Sequence, residues 1–166
     1  MIIRDAVEAD LPAIVEIYNE AIRSRISTAQ LEEVSVEQRL PWFHQHSATV
    51  HPLWVAEIDQ QIAGWFSIHP YVERAAYRAT AEISVYVSGE FQRRGVGKAF
   101  LEKAVADSPN LQIRTLIGCI QAHNEASVRL FFRAGFERWG FLPRVTRIDG
   151  VDRDVVIMGR HVPTAA

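Results

Sequence analysis

Residues 80–104 read TAEISVYVSGEFQRRGVGKAFLEKA, and the fold follows from the way this stretch changes period. Its first part alternates: Ile83, Val85 and Val87 fall on one side of a strand, and Glu82, Ser84, Tyr86 and Ser88 on the other. Ser88-Gly89 ends the alternation. From Val96 onward apolar residues recur every fourth position, at Phe100 and Ala104, and Leu101 and Val105 widen the stripe. Lys98, Glu102 and Lys103 take the polar side. The stretch therefore reads as a strand, a glycine-punctuated turn and a helix.

Such a turn suits an anion. Gly95 and Gly97 bring no Cβ atoms to hold a ligand off the backbone. The first N–H groups of a helix have no acceptor inside it, and the helix dipole adds positive potential there. Arg93, Arg94 and Lys98 contribute whole charges, so Arg93, Arg94, Gly95, Val96, Gly97 and Lys98 form a candidate phosphate or pyrophosphate cradle. A dinucleotide G-x-G-x-x-G loop fails because Phe100 stands at the third glycine. A Walker loop fails twice, at Gln92 for its first glycine and at Ala99 for its magnesium-binding hydroxyl. The pattern [RQ]-x-x-G-x-[GA] is met at every position by Gln92 to Gly97.

That last pattern is the pyrophosphate loop of the GNAT acetyltransferases, and the sequence resembles their phosphinothricin and methionine sulfoximine N-acetyltransferase branch over almost its whole length. The likeness is carried by PLWVAE (52–57), IAGW (62–65), TAEISVYV (80–87), QRRGVG (92–97), HNEASVRLF (123–131) and GF (135–136). The resemblance implies an α/β GNAT fold: a mixed, mostly antiparallel central sheet flanked by helices, with two central strands splayed around the pantetheine arm of acetyl-CoA. Here the splayed strands would be 82–87 and 115–120.

Length and composition agree with one soluble domain, placed at 1–162 with a flexible tail at 163–166. Of 166 residues 48% are hydrophobic and 23% charged, enough for a sizeable core. A net charge of −2 gives no ground for nucleic-acid binding. The single cysteine, Cys119, excludes an intrachain disulfide and a multi-cysteine metal site, and its apolar surroundings predict a buried, inert thiol. No metal is expected. Charges within the first ten residues exclude a signal peptide, and no apolar run reaches the roughly 20 residues of a membrane span, so the cytoplasm is expected.

Along the chain, Met1–Arg4 reads as a short strand, and a helix runs from about Ala9 to Arg23 with Pro12 in its first turn. Residues 24–34 lack periodicity. Ser35-Val36-Glu37-Gln38 has capping-box form and opens a second helix through Phe43. Strands over 53–58 and 62–69 join at Asp59-Gln60, and a loop fills 70–79. A strand at 115–120 is apolar enough to be buried on both faces. Asn124 opens a helix that Gly135 closes, and two last strands turn at Asp149-Gly150.

Amide formation from a thioester requires an amine stripped of its extra proton, a polarised carbonyl, and reactants held together. The resemblance assigns proton removal to Glu82, whose alternative is a solvated glutamate or a partner of Arg78. It assigns carbonyl polarisation to the backbone amide of Val85 at a strand bulge, and coenzyme contacts to Val85, Tyr86, Val87 and Asn124. Asn124 is equally a helix N-cap by its chemistry. Residues 24–34 would cover the acceptor, and Arg74 and Tyr77 would grip it, the arginine by a two-pronged bond to a carboxylate.

This sequence departs from its relatives at Phe131, where many carry a tyrosine or histidine able to protonate the leaving thiolate. Val72 and Ala29 replace a lysine and a phenylalanine found in phosphinothricin-selective relatives, which favours a methionine sulfoximine- or sulfone-like amino acid. Another amine acceptor, or a coenzyme-binding module without turnover, is the competing reading. Relatives are usually homodimers, and Trp139 and Phe141 are either a subunit contact or core.

Overall fold

The computed structural model describes residues 1–163; positions 164–166 of the expected tail lie outside the described residues. Four helices and seven strands are present among them: β1 (Ile2–Asp5), α1 (Leu11–Ser24), α2 (Val36–Phe43), β2 (Leu53–Ile58), β3 (Gln61–Pro70), β4 (Thr80–Val87), α3 (Val96–Asp107), β5 (Thr115–Gln121), α4 (Glu125–Arg133), β6 (Glu137–Ile148) and β7 (Val151–His161). The strands form one sheet in the order β1-β2-β3-β4-β5-β7-β6. Every neighbouring pair is antiparallel except β4 and β5.

The caps lie where the residue chemistry puts them. Ser35 Oγ accepts from the Gln38 amide, and Gln38 Oε1 accepts from the Ser35 amide, so two otherwise unpaired donors are satisfied at the start of α2. Asn124 Oδ1 accepts from the Ser127 amide at the start of α4. The hairpin at Asp149-Gly150 has both central residues at positive φ, as a two-residue turn requires.

The sheet is covered on both faces. On one side Ile83, Val85 and Val87 join Phe66, Ile68, Phe100, Leu101 and Phe131 in the larger core, under α3 and α4. On the other, Trp65 and Tyr86 pack with Leu11, Ile14, Val15 and Trp42 under α1 and α2. The alternation of 82–88 thus separates two cores rather than core from solvent, because both faces carry helices. Among the described residues no helix is long and apolar enough to cross a membrane.

β4 and β5 pair only at Thr80↔Thr115, Ala81↔Leu116 and Glu82↔Ile117. Beyond that point β5 pairs with β7 alone, and the sheet opens between its two parallel strands. The expected splay is present. The expected bulge is not: β4 pairs with β3 in unbroken register from Pro70↔Ala81 to Gly64↔Val87.

Candidate active site

Glu82 stands at the last paired position before the sheet opens, with His69 directly across on β3. The His69 Nε2 to Glu82 Oε2 distance is 4.0 Å, too long for a hydrogen bond. Burial, helped by His46, His51 and Arg39, pushes the His69 imidazole down to about 4, so it is neutral at physiological pH and the pair carries no ion-pair attraction. Burial also raises the carboxyl of Glu82, and the Cys119 thiol acts against that rise. Arg78, the alternative partner, makes no ion pair with it.

Cys119 departs from expectation. It is exposed in the opening, because β5 has no neighbour on its β4 side there. Enough protein surrounds the sulfur that burial, with Glu82 beside it, pushes the thiol up to about 11. It is an exposed, protonated thiol beside Glu82, not a core residue.

The free edge of β4 is set by strand alternation. The Ser88 amide donates to Ala63 O on the β3 side, so backbone groups two and four residues earlier also face β3. Val85 and Val87 therefore turn their N–H and C=O groups to the opening. Tyr86 does not share that position. Its carbonyl lies over Gly64, where a Cβ would come within 2.6 Å of it, and its ring packs 4.5 Å from Trp65 and 5.3 Å from Tyr18.

The anion loop sits at the far end of this edge. Arg93 at φ 64° and Gly95 at φ 83° bend the chain so that successive amides converge, and Gly95 is the residue that tolerates this best. The first helical bond runs from Ala99 N–H to Gly95 O, which leaves the Val96, Gly97 and Lys98 amides without helical acceptors. Arg93, Arg94 and Lys98 are exposed around them; Arg94 Nη2 is 4.0 Å from Asp59 and Lys98 Nζ 3.6 Å from Glu102. Gly97 also serves packing. A Cβ there would lie 2.8 Å from Leu130 Cδ2, so its absence lets α3 close on α4. Val96 anchors the turn through a buried side chain.

Asn124 does cap α4, and its Nδ2 also donates to Ser27 Oγ at 3.4 Å. His123 Nε2 donates to Arg25 O at 3.0 Å. The segment after α1 is thus tied to the turn between β5 and α4. Arg74 and Tyr77 are both exposed on the loop before β4, with Tyr77 6.0 Å from Tyr71 and Arg74 unpaired. Phe131 is buried against Gly118, where a Cβ would meet its Cε1 at 2.5 Å, and edge-on to Phe136. Beside His69, a cavity of about 540 Å³ is lined by Trp42, Gln45, His46, His51, Ile68, Pro70 and Glu73.

Sequence reasoning passed over His69, although counting the β3–β4 register from its loop would have found it. It also passed over Glu20, which accepts from Ser88 Oγ at 3.2 Å and the Gly89 amide at 2.8 Å and holds the turn after β4. No local signal marks a contact nearly 70 residues away. Among the described residues no group of three or more histidine, cysteine, aspartate or glutamate side chains could hold a metal ion.

A parallel pair that parts beside a carboxylate, with a free strand edge leading to an amide-lined, cationic turn, defines an acyltransferase built for a long thioester carrying a diphosphate. The chain belongs to the Acetyltransferase (GNAT) family, which matches residues 11–136, and it is an acetyl-CoA-dependent N-acetyltransferase. It is 40% identical over 163 residues to YwnH of Bacillus subtilis (strain 168), which carries the provisional name phosphinothricin acetyltransferase, covering 98% of this chain and 99% of that one. It is 30% identical to the L-methionine sulfoximine/L-methionine sulfone acetyltransferase of Pseudomonas aeruginosa, over 94% of this chain and 91% of that one. The crystal structure of a GNAT superfamily phosphinothricin acetyltransferase from Sinorhizobium meliloti in complex with AcCoA superposes with a TM-score of 0.92 at 30% identity, over 97% and 88% of the two chains.

Proposed function

We propose that this enzyme acetylates the α-amine of a small amino acid or analogue, with Glu82 as the general base. The supporting observation is position: a half-buried carboxylate stands where the sheet parts, three and five residues from the strand edge offered by Val85 and Val87. Glu82 takes one proton from the acceptor ammonium, directly or through one water. The freed lone pair forms the C–N bond as the C–S bond breaks. The second amine proton goes with the thiolate, directly or through water, since Phe131 has none to give.

Acetyl-CoA fits the rest of the site. The Val96, Gly97 and Lys98 amides, with Arg93 and Arg94, would hold its diphosphate. Val85 and Val87 would bond its pantetheine arm, the Val85 amide would polarise the carbonyl, and Asn124 would add a contact beyond its capping role. Reversing two charges in Arg93→Glu/Arg94→Glu is expected to raise the KM for acetyl-CoA about a hundredfold with a much smaller change in kcat, steepest at low salt.

The acceptor would enter beneath residues 24–34, with Arg74 and Tyr77 at the mouth. Two relatives named for phosphinothricin or methionine sulfoximine acetylation support an amino-acid acceptor. Val72 and Ala29 favour methionine sulfoximine or sulfone over a phosphinate. Release of free thiol from acetyl-CoA across amino acids, polyamines and aminoglycosides tests this. Turnover confined to the last two would sink the amino-acid reading.

A homodimer through β6 is part of the same reading. That edge strand leaves Trp139, Phe141, Leu142 and Val145 exposed, which supports a subunit contact over core packing for the aromatic pair. Light scattering of a Phe141→Glu variant should show monomers.

A further inference from the structure

Arg39 is a cation without a counter-charge among the described residues. It projects from α2 with its guanidinium 3.8 Å from the Trp42 ring centroid and 4.7 Å from that of Tyr18. Its Nε is buried with no hydrogen-bond partner. Burial pulls its ionisation down, and the only groups opposing that are the tyrosines Tyr18 and Tyr86, with no carboxylate among them. Arg4 shows the contrast: it meets Asp10 at 2.7 Å and Glu57 at 3.3 Å.

The same guanidinium lies on the face of the sheet that Glu82 shares with Tyr86, against the cluster of Tyr18, Trp42 and Tyr86. Tyr86 lies in the field of both Arg39 and Glu82. His69, 4.0 Å from Glu82, is kept neutral in part by Arg39. Trp42, on which Arg39 stacks, lines the cavity beside His69. Two aromatic rings fix the plane of the guanidinium but satisfy none of its five N–H donors. Holding a cation partly out of water without a counter-charge is costly, and an anion arriving later offsets that cost.

We propose that Arg39 is the inner oxyanion subsite of the acceptor, binding either the α-carboxylate or a sulfur- or phosphorus-bound oxygen of the amino-acid side chain. This rests on the reading of the enzyme as an amino-acid acetyltransferase. Arg74 meets the acceptor at the mouth, and Arg39 meets it at the floor. The acceptor class is thereby narrowed to amines that carry an oxygen anion or a strong oxygen acceptor.

Four acceptors form the test at saturating acetyl-CoA: methionine sulfoximine, its decarboxylated amine, norleucine and pentylamine, which lacks both oxygen groups. In R39Q the KM for methionine sulfoximine should rise about tenfold to a hundredfold, the span of one lost charge-assisted bond, with the KM for acetyl-CoA unchanged. If the preference over the decarboxylated amine collapses, the carboxylate is the ligand; if the preference over norleucine collapses, the side-chain oxygen is. R39K keeps the charge without the planar fork and should fall between wild type and R39Q. Equal losses for all four acceptors mean that Arg39 only stacks, and the proposal is overturned. Should R39Q fail to fold, the wild type decides: pentylamine used as well as methionine sulfoximine overturns the subsite. A wild type inert toward every amino acid overturns the acceptor class itself, which is a separate and recognisable result.

Discussion

Glu82→Gln is expected to lower kcat by about 10²–10⁴, the usual worth of a positioned general base. The amide keeps the shape of the carboxylate and loses its basicity, so the KM for acetyl-CoA should stay within about a factor of two. The pH profile carries a second signature. Burial holds the Glu82 carboxyl above its ordinary value, so wild-type kcat/KM should rise with pH through that ionisation and then level off; in the variant this limb disappears. Cys119→Ala removes the group that opposes the rise, and the limb should move to higher pH. Stability runs the other way. A carboxyl whose folded-state value is raised contributes stability below its unfolded value and loses it as pH climbs through the folded one. At neutral pH the charged Glu82 is therefore a cost, and the glutamine variant should melt slightly higher than wild type. Turnover equal to wild type across the pH range would place the base elsewhere.

Gly118→Val should cost about 2–3 kcal/mol and lower the melting temperature by about 5–10 °C. The added Cβ would lie 2.5 Å from Cε1 and 3.0 Å from Cζ of Phe131, a ring that is itself 2% exposed and wedged against Phe136. Nothing flexible can give way, so either β5 or α4 must shift. Because β5 forms one wall of the opening, coenzyme affinity should fall with stability. The companion change Phe131→Leu makes room and should recover part of both losses in the double variant. A Gly118→Val protein as stable as wild type, or no recovery in the pair, would show that the ring is less confined than its burial indicates.

Local chemistry made much of this architecture readable. The change of period at Ser88-Gly89, the capping box at Ser35–Gln38 and the turn at Asp149-Gly150 each act within a few residues, and each element lies where those residues place it. The place of Glu82 on β4 was legible because the strand around it alternates regularly. Contacts between distant segments were not. Cys119 sits in an apolar run, and only the parting of β4 and β5 exposes it. Gly97 lies in a ligand-binding pattern, yet Leu130 is the atom group it makes way for. Arg39 gave no signal at all, since an amphipathic helix carries arginines on its wet face as a matter of course. Its lack of a counter-charge is a property of three dimensions.

One side chain fastens two segments together. Asn124 caps α4 and through Ser27 also restrains the segment after α1, with His123 holding the same segment at Arg25; on the proposed reading these are the coenzyme and acceptor sides. On that reading, filling either half should alter the freedom of the other. Thermodynamic reciprocity then applies: whatever factor the donor adds to acceptor affinity, the acceptor returns to donor affinity. Two titrations run in opposite order should give the same ratio, and cutting the tether with Ser27→Ala should bring that ratio toward one.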